Sequence, residues 1–153
     1  MEPSRILVVA AQPHVRRIVE FLLEVAGHEV RSARDGEEGW RAVTSFRPDL
    51  VLTEASLPEL DGLVLVAGMK ARFDLAGVPV IVLCADATPT AQLRALRAGA
   101  DHVLPAPFNQ DELLLRVRNL LWASRNTRRI GHLLDPAALA EGLTASSAGA
   151  VCS

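Results

Sequence analysis

Glu54, Asp61, Asp86 and Cys84 are the residues of this 153-residue chain whose types and positions could carry chemistry. Glu54 closes the apolar run Leu50-Val51-Leu52-Thr53, which sets a carboxylate at the tip of a buried strand. Asp61 and Asp86 each stand shortly before a helical stretch, a place that suits helix capping better than acid–base work. Cys84 ends another apolar run beside Ala85, and no basic neighbour in sequence lowers its pKa. A thiol so placed behaves as an inert small hydrophobe. His14, His28, His102 and His132 are scattered without metal-ligand spacing. The glycines near helices are single, so nothing here forms a phosphate-cradling loop. With no nucleophile–base pair, metal cluster or phosphate loop, the residues argue against an enzyme.

Composition narrows the class. Half of the residues are hydrophobic and 22% are charged, which is the balance of a globular protein with a real core. A formal charge of −2 gives no basic excess for nucleic acid to meet. The longest apolar run, residues 63–69, is too short for a bilayer, which needs ~20 residues. The first residues lack the basic end and apolar stretch of a secretion signal. Cys84 and Cys152 are too far apart in sequence to suggest a disulfide framework or a metal knuckle. A cytoplasmic protein without nucleic-acid or membrane partners is expected. Lys70 is the only lysine among 16 basic residues, and tyrosine is absent.

Apolar strands alternate with helical stretches along the chain. Strands are expected at residues 5–9, 29–33, 49–54, 78–84 and 101–104. Helices are expected at 13–26, 36–46, 62–73, 88–98 and 109–125. Val15, Ile18, Val19, Leu22, Leu23 and Ala26 mark the buried face of the first helix by their spacing of three and four, and Gly27 ends it. Trp40 and Val43 should point inward from the second. Strands that are apolar throughout are covered on both faces, so the sheet is parallel and the fold is α/β, doubly wound, with right-handed crossovers. The tail divides off as residues 124–153, leaving 1–123 as the main domain. Residues 124–129 read as the frayed end of the last helix, 136–143 as a short helix capped by Asp135, and 144–153 as disordered. No output domain is expected in this tail.

The segments Ile6-Leu7-Val8-Val9, Pro48 to Glu54, Leu57-Pro58-Glu59-Leu60-Asp61-Gly62 and Leu104-Pro105-Ala106-Pro107-Phe108 closely resemble the receiver domain of bacterial response regulators (CheY-like). The resemblance covers residues 5–121 and implies a five-stranded flavodoxin-like sheet of order 2-1-3-4-5. It also implies two-component (phosphorelay) signal transduction. Residue by residue, however, it implies a degenerate pseudo-receiver. Glu54 stands where the family has its phosphate-accepting Asp. Ala10 and Ala11, followed by the neutral Gln12, stand where it has the acidic pair that holds magnesium. Cys84 takes the place of the hydroxyl residue, Val103 that of the switch aromatic, and Ala106 that of the lysine before Pro107. Magnesium binding is therefore expected to be lost, leaving no cofactor, and the Ala106-Pro107 bond is expected to be cis.

The longer Glu54 side chain should move its carboxylate outward, toward the place of a phosphoryl group. One reading is a receiver held active-like by Glu54 as a mimic of phospho-Asp. Another is a relay receiver with a non-standard acceptor such as Asp49 or Asp61. The favoured reading is a domain that works by phosphorylation-independent protein–protein interaction, with a signalling partner or as a homodimer. Two surfaces could serve. The third helix is apolar all round, and Val64, Ala67, Gly68 and Ala71 should face outward. Arg94, Arg97, Asp101, Leu115, Arg116, Arg118 and Trp122 mark the face built from the fourth helix, fifth strand and fifth helix.

Overall fold

The computed structural model describes the backbone of residues 3–133 and the side chains of residues 3–126. Strands and helices alternate as β1 (Arg5–Val9), α1 (Pro13–Val25), β2 (Glu29–Ala33), α2 (Gly36–Phe46), β3 (Leu50–Glu54), α3 (Gly62–Ala71), β4 (Val80–Cys84), α4 (Pro89–Ala98), β5 (His102–Pro105) and α5 (Gln110–Leu133). All five strands are parallel, in the expected order 2-1-3-4-5.

Register explains why the strands are apolar throughout. Successive side chains point to opposite faces of a sheet. Leu7, Val9, Val51, Val80 and Val82 enter one core with residues of α2, α3 and α4. Ile6, Val8, Leu50, Leu52, Ile81 and Leu83 enter another with residues of α1 and α5. Local signals place the helix ends. Asp35 caps α2 by accepting from the Glu38 amide at 2.8 Å, and Thr88 caps α4 by accepting from the Ala91 amide at 3.3 Å. Gly27 follows α1 at φ 95°, a left-handed turn that glycine takes without strain. Among the described residues, no helix is long and apolar enough to cross a membrane.

Several expectations are corrected. Helix α5 does not fray after Arg125 but runs to Leu133. Polarity does not stop a helix without a glycine cap or a proline, and the first proline past Leu133 is Pro136. Residues 1–121 form one compact unit, and a second begins at Trp122. The expected short helix at 136–143 and the stretch 144–153 lie outside the described residues. On α1, Val19 and Leu23 are buried, but Ile18 and Ala26 are exposed. Gly68 is half-buried rather than outward: a β-carbon there would sit 3.3 Å from the Trp40 ring. The small residue on α3 makes room for a neighbouring indole. Val64, Ala67 and Ala71 do face outward.

Lys70 closes the turn between α3 and β4. Its ammonium donates to the carbonyls of Ala76 at 3.2 Å and Val78 at 2.9 Å, and it meets the Asp101 carboxylate at 3.4 Å. Asp101 also accepts from the Val80 amide at 2.8 Å. It thus brackets β4 to the loop before β5 while remaining exposed at the surface. Replacing Lys70 with Met should lower the unfolding free energy by about 1–2 kcal/mol, because it leaves a partly buried carboxylate and two carbonyls without their donor. Urea denaturation of both proteins measures this.

Candidate functional site

The carboxyl ends of the strands gather the expected site. The sheet order reverses between β1 and β3, the place where doubly wound sheets bind ligands. Glu54 is the last residue of β3. Its Oε1 accepts hydrogen bonds from the Ala11 amide at 2.6 Å and the Gln12 amide at 3.3 Å. Gln12 stands at the N-cap of α1, so the carboxylate meets the positive end of that helix dipole. The extra methylene therefore turns the group back onto the loop after β1, instead of carrying it outward as expected from the sequence.

A second group holds the same loop from its other side. The Arg16 guanidinium, on α1, donates to the carbonyl of Ala10 at 2.8 Å and more weakly to that of Ala11 at 3.5 Å. Amides on a carboxylate and carbonyls on a guanidinium leave the loop little freedom. Ala10 is fully buried, with its methyl in the core. Arg16 was missed in the sequence. The available signal was an arginine three residues after a helix start, within reach of the preceding strand end.

Beside this loop lies a cleft of about 320 Å³ lined by Gln12, Glu54, Asp61, Cys84, Asp86 and Arg94, with Leu63 and Leu83 among its apolar contacts. Arg94, expected on a partner-binding face, is exposed on α4 and also lines the cleft. Asp61 occupies the N-cap position of α3 but makes no capping bond with its side chain. Asp86 is not a cap, since Thr88 has that role. The Thr88 amide, at 2.9 Å, together with the charge of Arg94, holds the Asp86 carboxyl below its ordinary pKa. Cys84 is buried, and burial first, then the nearby Asp86 charge, pushes its thiol pKa up. Ala10, Ala11, Val103, Ala106 and Pro107 do not line the cleft. Ala106 instead donates its amide to the Cys84 carbonyl at 2.9 Å, and the Ala106-Pro107 bond is cis. Asp49 lies at the far end of β3, where it accepts from the Arg5 amide at 2.8 Å. That position removes it as an acceptor near Glu54. Among the described residues, no group of three or more His, Cys, Asp or Glu side chains could hold a metal ion.

The expected surface residues are partly dispersed. Arg97, Leu115, Arg118 and Trp122 are exposed, and Arg116 pairs with Glu112 at 3.8 Å. Leu93 and Leu96 on α4 are also exposed. Residues 6–118 match the family described as response regulator receiver domain. The chain belongs to this family. It is 34% identical over 126 residues to a protein of Synechocystis named DNA-binding dual master transcriptional regulator RpaA. That match covers 82% of this chain and 51% of the relative. It is 39% identical to response regulator MprA of Mycolicibacterium vanbaalenii, covering 78% of this chain and 51% of MprA. The chain thus spans about half the length of these curated relatives. A receiver domain of a histidine kinase from Syntrophus aciditrophicus superposes with a TM-score of 0.74 at 32% identity, covering 78% of this chain and 91% of that one. The receiver domain of a sensor histidine kinase from Pseudomonas aeruginosa, solved with magnesium in its active-site cleft, gives 0.73 at 28% identity, covering 78% and 98%. The chain is a receiver domain of two-component signalling, a class that works by meeting signalling partners and is not enzymatic.

Two outcomes check this geometry. Glu54→Ala leaves the Ala11 and Gln12 amides without an acceptor and should cost about 1–3 kcal/mol, with Glu54→Gln costing less. Amide exchange should speed up at residues 11 and 12 in the Ala variant. In a Cys152→Ser background, Cys84 should alkylate at least about tenfold more slowly in the native state than in urea, since only the thiolate reacts. The raised pKa also sets a sign. Above the ordinary thiol value near ~8.5 the unfolded state loses its proton first, so stability falls as pH rises through that range.

Proposed function

We propose that this receiver domain acts through protein–protein contact without accepting a phosphoryl group. The observation that carries the reading is the tie between Glu54 and the amides of Ala11 and Gln12. Phosphoryl transfer, as the family resemblance implies it, needs magnesium on several carboxylates, a free acceptor carboxylate, a lysine and a hydroxyl. Magnesium demands an octahedral set of hard oxygen ligands. Ala10 offers only a buried methyl, Ala11 no side-chain donor and Gln12 a neutral amide, while Glu54 already spends one oxygen on two amides. The donor set does not fit the ion.

A phospho-Asp mimic would have to make contacts that differ between two conformations. The groups that read a phosphoryl charge in the family correspond to Cys84, a weak donor, and Ala106, which has none. Asp61 lines the cleft, but no lysine stands near it to stabilise a transferred charge. Outward-facing Leu93 and Leu96 on α4 and Leu115 on α5 supply apolar contact area for a signalling partner.

The test is an NMR titration of amide shifts with magnesium and then beryllofluoride, against the Glu54→Ala control. No change at residues 9–12, 54 and 84–86 is expected. A saturating local shift that disappears in the control would overturn the proposal and restore the cleft as a phosphoryl site.

A further inference from the structure

The outward face of α1 carries Ile18, Phe21 and Val25 at 42, 60 and 71% exposure. His14, also exposed, precedes them on the same stripe, so the spacing runs four, three, four. That is the seam of a two-helix contact. Val19 and Leu23 already bury the opposite face of this helix, which leaves α1 apolar on two sides with only one covered by the domain. One exposed apolar residue needs no reason, but a run of three along ~10 Å of helix forms a patch. Arg17 and Glu24 flank it on one edge, one heptad apart. Among the described residues, neither takes part in an ion pair.

We propose that this stripe binds a second copy of the chain, with the two α1 helices antiparallel about a two-fold axis. Such a pair sets Ile18 of each copy on Phe21 of the other. It also brings Arg17 of each copy beside Glu24 of the other, so one patch satisfies itself twice over. Parallel pairing would instead turn the Arg17 and Glu24 edge of each copy toward the opposite edge of the other, the side of Val15 and Leu22, and leave both charges unmatched. The order of charges along the edge thus selects both the partner and its direction. This inference rests on the proposed protein-contact function and names its partner, but it is independent of whether the cleft binds a phosphoryl analogue.

Sedimentation of the full chain over a range of concentrations tests it. A reversible dimer is expected for the unaltered chain. Arg17→Glu and Glu24→Arg should each raise the dimer dissociation constant about tenfold, since each places two like-charged pairs at the contact. Combining both changes should restore the original value, which no folding defect could imitate. Phe21→Ser should remain monomeric with an unchanged circular dichroism spectrum. A chain that stays monomeric at every concentration, through cover by its own tail or for want of self-affinity, overturns the proposal. So does a dimer that ignores Arg17, Glu24 and Phe21.

Discussion

Burial of the sheet on both faces is the constraint from which the rest of this structure follows. A parallel strand covered by helices above and below can carry no unpaired polar side chain in its interior without a cost of kcal/mol size. Ile6 to Val9 and Val80 to Leu83 are accordingly apolar at every position and almost wholly hidden. Polar side chains are pushed to the strand ends. Glu54 is polar because β3 stops there, and the loops after β1, β3 and β4 converge beside it. The location of the site thus follows from core packing before any chemistry is considered.

At that location two charged side chains hold the loop after β1. The guanidinium of Arg16 is bound to its backbone carbonyls. The carboxylate of Glu54 turns to the amides of the same loop. Both ends of this arrangement use backbone groups, which mutation of the loop side chains leaves in place. Alanine at positions 10 and 11 is therefore compatible with an ordered loop. Glu54 and Arg16 brace the loop after β1 from two sides.

The outer faces of the helices follow a different rule. Each helix needs only one apolar stripe to hold the sheet, and α2 keeps to that pattern with Trp40 laid over Gly68. Helices α1 and α3 carry more apolar surface than the domain can cover. On α3 the exposed apolar residues are Val64, Ala67 and Ala71, whereas α1 presents larger side chains beside Arg17 and Glu24, neither in an ion pair among the described residues. Surplus of that kind on an otherwise ordinary domain is how a signalling module keeps contact surfaces available.

Much of this was legible in the sequence because it depends on local periodicity and on residue type. Strand and helix order, the parallel sheet, the Pro13 and Pro89 helix starts and the missing charges at Ala10, Ala11 and Ala106 all follow from residues read in place. Other features required the fold, because they join positions far apart in the chain. The direction of the Glu54 carboxylate is set by amides 42 and 43 residues away. Whether Ile18 is buried depends on how α1 rolls on the sheet: an apolar residue at the margin of the stripe has no intrinsic side. Gly68 reads as a weakness in α3 until Trp40 is placed above it. The sequence by itself determined which side chains stand at the strand ends, since residue type and strand position are both read in place. Only the tertiary structure decided what the remaining groups do, because a side chain's role is set by the partners that folding brings within hydrogen-bond reach.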